Sequence, residues 1–148
     1  MRIRHLALLL PVATLVLACG PGFDENTGGD GTRGEAREVS VDTLIDDRLS
    51  ADQGDHSDWK KFAIEGPAKI TIRFWWDVPD VGLSVTLRDE LGQKIAGLAH
   101  ARGQREEALG PVKLKEGTYF LEVSSTEGAT VYTYEIQAGG AAAPTPDF

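Results

Sequence analysis

Five aspartates in two neighbouring stretches are the residues best able to gather a metal ion. Asp52, Asp55 and Asp58 fall close together, and Asp77 and Asp80 follow in a second short acidic segment. A hard cation such as calcium takes roughly six to eight oxygen ligands, so it needs several carboxylates converging from loops. If both segments share one rim of the fold, they could form a structural calcium site. The plainer expectation is solvated loop acids. His56, Ser57 and Asp58 offer the residue types of a nucleophilic relay, but consecutive residues do not normally align as one. With three histidines and one cysteine in 148 residues, there is no G-x-S-x-G, no H-E-x-x-H, no zinc spacing and no nucleotide loop. Catalysis is not expected.

Binding through aromatic side chains is the second candidate chemistry. Ile70, Ile72, Phe74 and Trp76 alternate with residues of opposite facing, which places Arg73 and Trp75 outside. Tyr119, Leu121 and Val123 do the same for Phe120 and Glu122. Exposed aromatics on a sheet mark a recognition patch for protein or sugar, and Arg73, Trp75, Phe120 and Glu122 form the candidate set. Cover from residues 98–109 would instead make Trp75 and Phe120 a satellite of the core. Trp59 and Trp76 are expected in the core or at its edge.

The elements that must position these residues are strands. Residues 58–76 read as strand, turn at Gly66-Pro67, and strand, an antiparallel pair. A first strand is expected near 38–45 and an acidic rim loop over 46–58. Further strands follow at 83–88, 93–98, 109–114, 118–124 and 130–138, with Pro111 confined to a strand start or an edge. Seven or eight strands in one domain, with a turn signal every 8 to 12 residues or so, fit an antiparallel jelly-roll-like β-sandwich, and a small closed barrel is the alternative.

The first 18 residues have basic Arg2 and Arg4 ahead of an apolar run too short to favour a spanning helix, the make-up of a signal peptide. The run ends in Val16-Leu17-Ala18-Cys19, which resembles the lipobox of bacterial lipoproteins. That resemblance implies cleavage before Cys19 and lipid on its sulfur, hence a bilayer anchor of several acyl chains. Gly20 in place of Asp implies the outer membrane, with the domain facing periplasm or cell surface. Residues 19–36 then form the lipidated cysteine and an acidic, Gly-rich tether, with a coil length of roughly 23 Å and a reach of about 56 Å. Asp24, Asn26, Asp30, Thr32 and Glu35 match an EF-hand loop only in part, and the stretch is read as tether. The domain is expected at 37–138 and a disordered tail at 139–148. Without residues 1–18 the formal charge of −8 becomes −10, which disfavours nucleic acid and suits basic partners. A lone cysteine leaves no intrachain disulfide.

Three patterns in order resemble the bacterial pre-peptidase C-terminal domain, a β-sandwich similar to the collagen-binding domains of bacterial collagenases. They are Asp58-Trp59-Lys60-Lys61-Phe62, the strand from Leu83 into Asp89-Glu90-Leu91-Gly92, and Gly117-Thr118-Tyr119-Phe120-Leu121. Lys60 stands where the family has an aromatic residue, and 98–109 has no counterpart. The resemblance implies an accessory binding role, with calcium near the N-terminal side, though none of the five aspartates maps onto a family ligand. The resulting expectation is a non-catalytic, membrane-anchored module that binds an envelope or secreted protein. Polysaccharide or cell-wall binding, a calcium-stabilised spacer and a hydrolase accessory subunit are the alternatives.

Overall fold

Alternation of buried and exposed side chains runs through nearly every segment with strand character, and each becomes a strand with one face on a common core. The computed structural model describes residues 28–139. The leader, Cys19, tether residues 19–27 and the tail from 140 lie outside them. The strands are β1 (Arg37–Glu38), β2 (Leu44–Ser50), β3 (Ser57–Ile64), β4 (Ala68–Trp76), β5 (Leu83–Arg88), β6 (Lys94–Ala99), β7 (Glu106–Leu114), β8 (Gly117–Ser125) and β9 (Ala129–Ala138). They form a five-stranded sheet, ordered β1-β3-β8-β5-β6, and a four-stranded sheet, ordered β2-β9-β4-β7. The expected all-β sandwich is the fold. The nine strands exceed the expected seven or eight partly because the first one divides into β1 and β2, which join different sheets.

The core lies between the sheets. Phe62, Leu87, Leu121 and Val123 come from one side, and Ile72, Phe74, Trp76 and Tyr132 from the other. Phe74 and Trp76 are stacked at 5.1 Å, and Tyr132 packs against Trp76 at 5.7 Å. Leu121 and Val123 are fully buried, and each such side chain contributes about 1.5–3 kcal/mol of apolar burial.

Two expectations about this region need correction. Residues 58–76 are not a hairpin: β3 pairs with β8 and β1, whereas β4 pairs with β7 and β9. The turn at Glu65–Pro67 is an arch between sheets, so Phe62 and Ile72 enter the core from opposite sheets. Period two specifies which face a residue occupies, and both arrangements give the same alternation. The boundary at residue 37 also moves. Asp30 and Gly31 are buried, because the Trp59 N–H donates to the Asp30 carbonyl at 2.7 Å and the Ser57 hydroxyl to the Gly31 carbonyl at 2.9 Å. The second half of the expected tether is therefore a strap on the domain.

At the far edge of the four-stranded sheet, the β4–β7 register shifts between Ile70 and Ile72. Gly110 sits there at φ +115°, where a Cβ would come within 2.7 Å of the Ile70 carbonyl oxygen. Pro111 follows on edge strand β7, where its missing N–H costs no ladder bond inside the sheet.

Candidate binding face and its buried support

The outer face of the five-stranded sheet is built by the residues of β3, β8 and β5 that point away from the core. Trp59 lies opposite Glu122, and Glu122 opposite Thr86; Lys61, Phe120 and Arg88 form the next row. Arg88 donates from Nε to Glu122 at 2.8 Å and from Nη1 to the Gly92 carbonyl at 3.1 Å, while its guanidinium lies 5.6 Å from the Trp59 ring centre. Arg33 reaches across from the strap to lie 5.7 Å from the Phe120 ring centre, and donates to the Glu90 carbonyl at 3.3 Å. Both aromatic rings are half-buried, and each carries a guanidinium. Such contacts contribute about 0.5–1 kcal/mol apiece at exposed sites.

This face runs into a groove of about 470 Å³ at the sheet rim, lined by His56, Ser84, His100, Ser124, Glu122 and Glu127 among others. Ser84 and Ser124 share a 2.8 Å hydrogen bond, and His56 Nδ1 lies 3.2 Å from the Ser125 carbonyl. The Arg102–Glu127 ion pair lies over Gly82, where a Cβ would come within 3.2 Å of the guanidinium. His100 forms one wall of this groove. Its side chain is fully buried; Nδ1 pairs with Glu107, Nε2 lies 2.7 Å from the Pro79 carbonyl, and the ring packs on Trp76. Burial raises the Glu107 carboxyl, but hydrogen bonds from His100 and from the Ala101 N–H outweigh it and hold the group below the usual range.

Beneath β3 is a polar cluster that no short motif announced. Lys60, fully buried, pairs with Asp30 of the strap and Asp47 of β2, and Arg37 lies 3.5 Å from Asp47 and 3.8 Å from Asp30. Two carboxylates and two cations balance, leaving Asp58 as the third acid. Burial pushes its carboxyl up, the Lys60 ammonium and a 2.6 Å hydrogen bond from Tyr132 draw it back, and Asp47 and Asp30 raise it again, to about 8. Asp58 is thus mostly protonated at neutral pH. Burial, with Asp58 close by, holds the Tyr132 hydroxyl well above its usual range. Among the described residues, Asp30 Oδ1, Asp58 Oδ1 and the Tyr134 hydroxyl have no hydrogen-bond partner.

The five candidate calcium ligands are not brought together. Asp52 accepts the Gly128 N–H at 2.8 Å, Asp55 the Ser50 N–H at 3.2 Å, and Asp58 faces Tyr132 in the interior, while Asp77 and Asp80 are exposed. Among the described residues, no three His, Cys, Asp or Glu side chains are grouped to hold a metal ion. The four candidate binding residues are divided as well. Phe120 and Glu122 lie on the outer face of the five-stranded sheet, whereas Arg73 and Trp75 lie on the outer face of the other, pointing away from them. Trp75 is only 2 % exposed, with Arg73, paired to Glu106, over its ring at 4.9 Å. Of residues 98–109, Glu106 lies opposite Trp75 and holds Arg73 over its ring, while Glu107 accepts the Trp76 indole N–H at 3.1 Å. Cys19 lies outside the described residues.

Sequence reasoning missed Trp59, Arg88, Arg33 and Lys60. For Trp59 the signal was present, since its odd number sets it opposite Phe62 and Ile64 and therefore outside. For Arg88 it was present too, since alternation sets it opposite Leu83, Val85 and Leu87; for Arg33 and Lys60 it was not, since nothing in the chain pairs Lys60 with residues 13 and 30 positions away.

No family model matches the chain, and no curated protein matches it. Solved structures do. The pre-peptidase C-terminal domain of a collagenase from Bacillus anthracis is similar at TM-score 0.59 and 21 % identity, over 69 % of this chain and 94 % of that one. Weaker likenesses include PliG from Aeromonas hydrophila, a periplasmic inhibitor of g-type lysozyme (TM-score 0.41, 11 % identity, 69 % and 97 % covered). A CBM6 from the laminarinase LamC of Zobellia galactanivorans is also similar (TM-score 0.39, 13 % identity, 63 % and 99 % covered). The chain has the β-sandwich fold of the pre-peptidase C-terminal domain.

Proposed function

We propose that this chain is a non-catalytic binding module that recognises an envelope or secreted protein, held on the outer membrane through lipid on Cys19. Its recognition surface is the outer face of the five-stranded sheet together with the rim groove. The pairing of ring with guanidinium at Trp59–Arg88 and Phe120–Arg33, beside Glu122, carries the reading. These amphipathic groups anchor protein interfaces, where aromatic residues and arginine are enriched. A pyranose would stack on a bare ring face, and here guanidinium groups lie over those faces, which favours a protein over a polysaccharide. A non-catalytic reading is supported by where His56, Ser57 and Asp58 point. Ser57 donates to the Gly31 carbonyl, Asp58 points into the core, and His56 addresses a backbone carbonyl.

The test is mild cross-linking and pull-down of the full-length protein from native cells. Trp59→Ala combined with Phe120→Ala should abolish capture of a dominant protein, while Thr71→Glu, on the opposite sheet, should retain it. Undiminished capture by the double variant refutes this surface. Captured material that a glycosidase removes refutes the protein reading.

A further inference from the structure

Strand β9 ends beside two lysines that nothing in the domain neutralises. Ala138 lies opposite Ile70, and Gly139 follows at φ +70°, where a Cβ would come 4.0 Å from the Lys69 carbonyl oxygen. The chain therefore leaves the four-stranded sheet next to Lys69. Across the β4–β7 ladder, Lys69 lies opposite Lys113. Like charges set directly opposite each other destabilise a strand pair. Both lysines are exposed, and among the described residues neither side chain has an ion-pair or hydrogen-bond partner. Glu65 and Glu116, exposed in the two adjoining turns, pair with neither. In a chain of formal charge −8, two adjacent cations without an acid call for a carboxylate from elsewhere.

The same lysines border an apolar hollow of about 220 Å³, whose other walls are Pro67, Ala68 and Leu114. A second hollow of about 300 Å³ lies on the other side of Ala68, against Val41, Ala63 and Ile64. Its one charged wall is Glu65, and no cation lines it. The two hollows therefore select differently. The first suits an apolar group joined to an acid, and the second rejects an acid.

The segment that starts at Gly139 reads Gly-Gly-Ala-Ala-Ala-Pro-Thr-Pro-Asp-Phe. Asp147 and Phe148 are its single acid and its single aromatic residue, and they are adjacent. We propose that this segment folds back onto the domain. The Asp147 carboxylate then sits between the Lys69 and Lys113 ammonium groups, and the Phe148 ring covers Pro67, Ala68 and Leu114. Reach is ample. Eight residues from Gly139 to Asp147 bridge at most about 28 Å, whereas β7 lies two strand spacings from β9, roughly 10 Å. The carboxylate offsets the repulsion of the opposed lysines, and the ring takes apolar surface out of water. Docked in this way, the segment fastens the end of β9 to edge strand β7 across β4.

The full chain in a mild detergent is treated with a water-soluble carbodiimide, which joins a carboxylate to an amine in contact with it. Products of one-chain mass are then mapped by mass spectrometry. Asp147 should couple to Lys69 and Lys113, and not to Lys94, an exposed lysine on the other sheet. Phe148→Ala leaves the acid and both amines in place, yet should lower that coupling about tenfold, the weight of one ring partly removed from water. In the double variant Asp147→Asn, Phe148→Ala, the backbone amide resonances of Ala68, Lys69, Lys113 and Leu114 should shift, while those of β3 and β8 stay. Coupling that Phe148→Ala leaves unchanged reflects proximity alone and overturns the proposal. Equal coupling to Lys94, no coupling to either lysine, or unmoved resonances in the double variant each overturn it as well. A product of two-chain mass joining the same residues gives the hollow to a second copy and overturns the contact within one chain.

Discussion

Replacing Asp58 by Asn tests the buried cluster through its dependence on pH. The carboxyl goes from 3.8 when unfolded to about 8 in the fold. Its folded form therefore holds a proton that the unfolded chain releases at lower pH. Stability then falls as pH rises through this window, because the unfolded state binds fewer protons than the native one. Each unit of difference corresponds to about 1.36 kcal/mol, so Asp58 should cost the native state about 3–4 kcal/mol more at pH 8 than at pH 5. Asn keeps the shape and still accepts from the Tyr132 hydroxyl, but cannot ionise. Guanidinium unfolding of both proteins at intervals from pH 5 to pH 9 gives the difference directly, and other titrating groups largely cancel. The Asn variant should gain steadily on the parent up to about pH 8 and level off above it. Parallel stability curves, or a variant that loses ground as pH rises, would refute a protonated Asp58 and the charge balance around Lys60.

Lys60→Met should lower unfolding free energy by about 3–5 kcal/mol, since it leaves Asp30 and Asp47 without the buried ammonium; a shifted denaturant midpoint at unchanged slope is the readout. Gly110→Ala should cost about 1–3 kcal/mol, because its φ of +115° is strained for alanine and its Cβ would meet the Ile70 carbonyl oxygen; the melting temperature measures it.

Alternation was enough to identify most strands, the inward residues of β4 and β8, and the sandwich itself. It could not assign strands to sheets. Trp75 and Phe120 were grouped because both break an apolar pattern, yet that pattern is blind to which sheet a strand joins, and they face opposite sides. The strap was hidden for a different reason. Residues 30–36 have the glycine, acid and lack of apolar side chains expected of a tether. Their order comes from a buried ion pair and backbone hydrogen bonds supplied by β3. Lys60, where the resembled family has an aromatic residue, is the compensating partner of Asp30, and each was legible only in the presence of the other.

The strap also couples the proposed anchor to the proposed binding face. With lipid on Cys19, the span from the anchor ends no later than Asp30, since Asp30 is fixed to Lys60 and its carbonyl to the Trp59 N–H. Ten residues bridge at most about 36 Å, against the 56 Å or so allowed by a tether ending at residue 36. The same strap places Arg33 on Phe120, and Trp59 lies on the strand that receives the strap. The face proposed to bind a partner is therefore beside the point where the chain leaves toward the proposed anchor. A protein lying close to the bilayer can reach it, whereas a partner standing well away from the membrane meets the opposite side of the sandwich first.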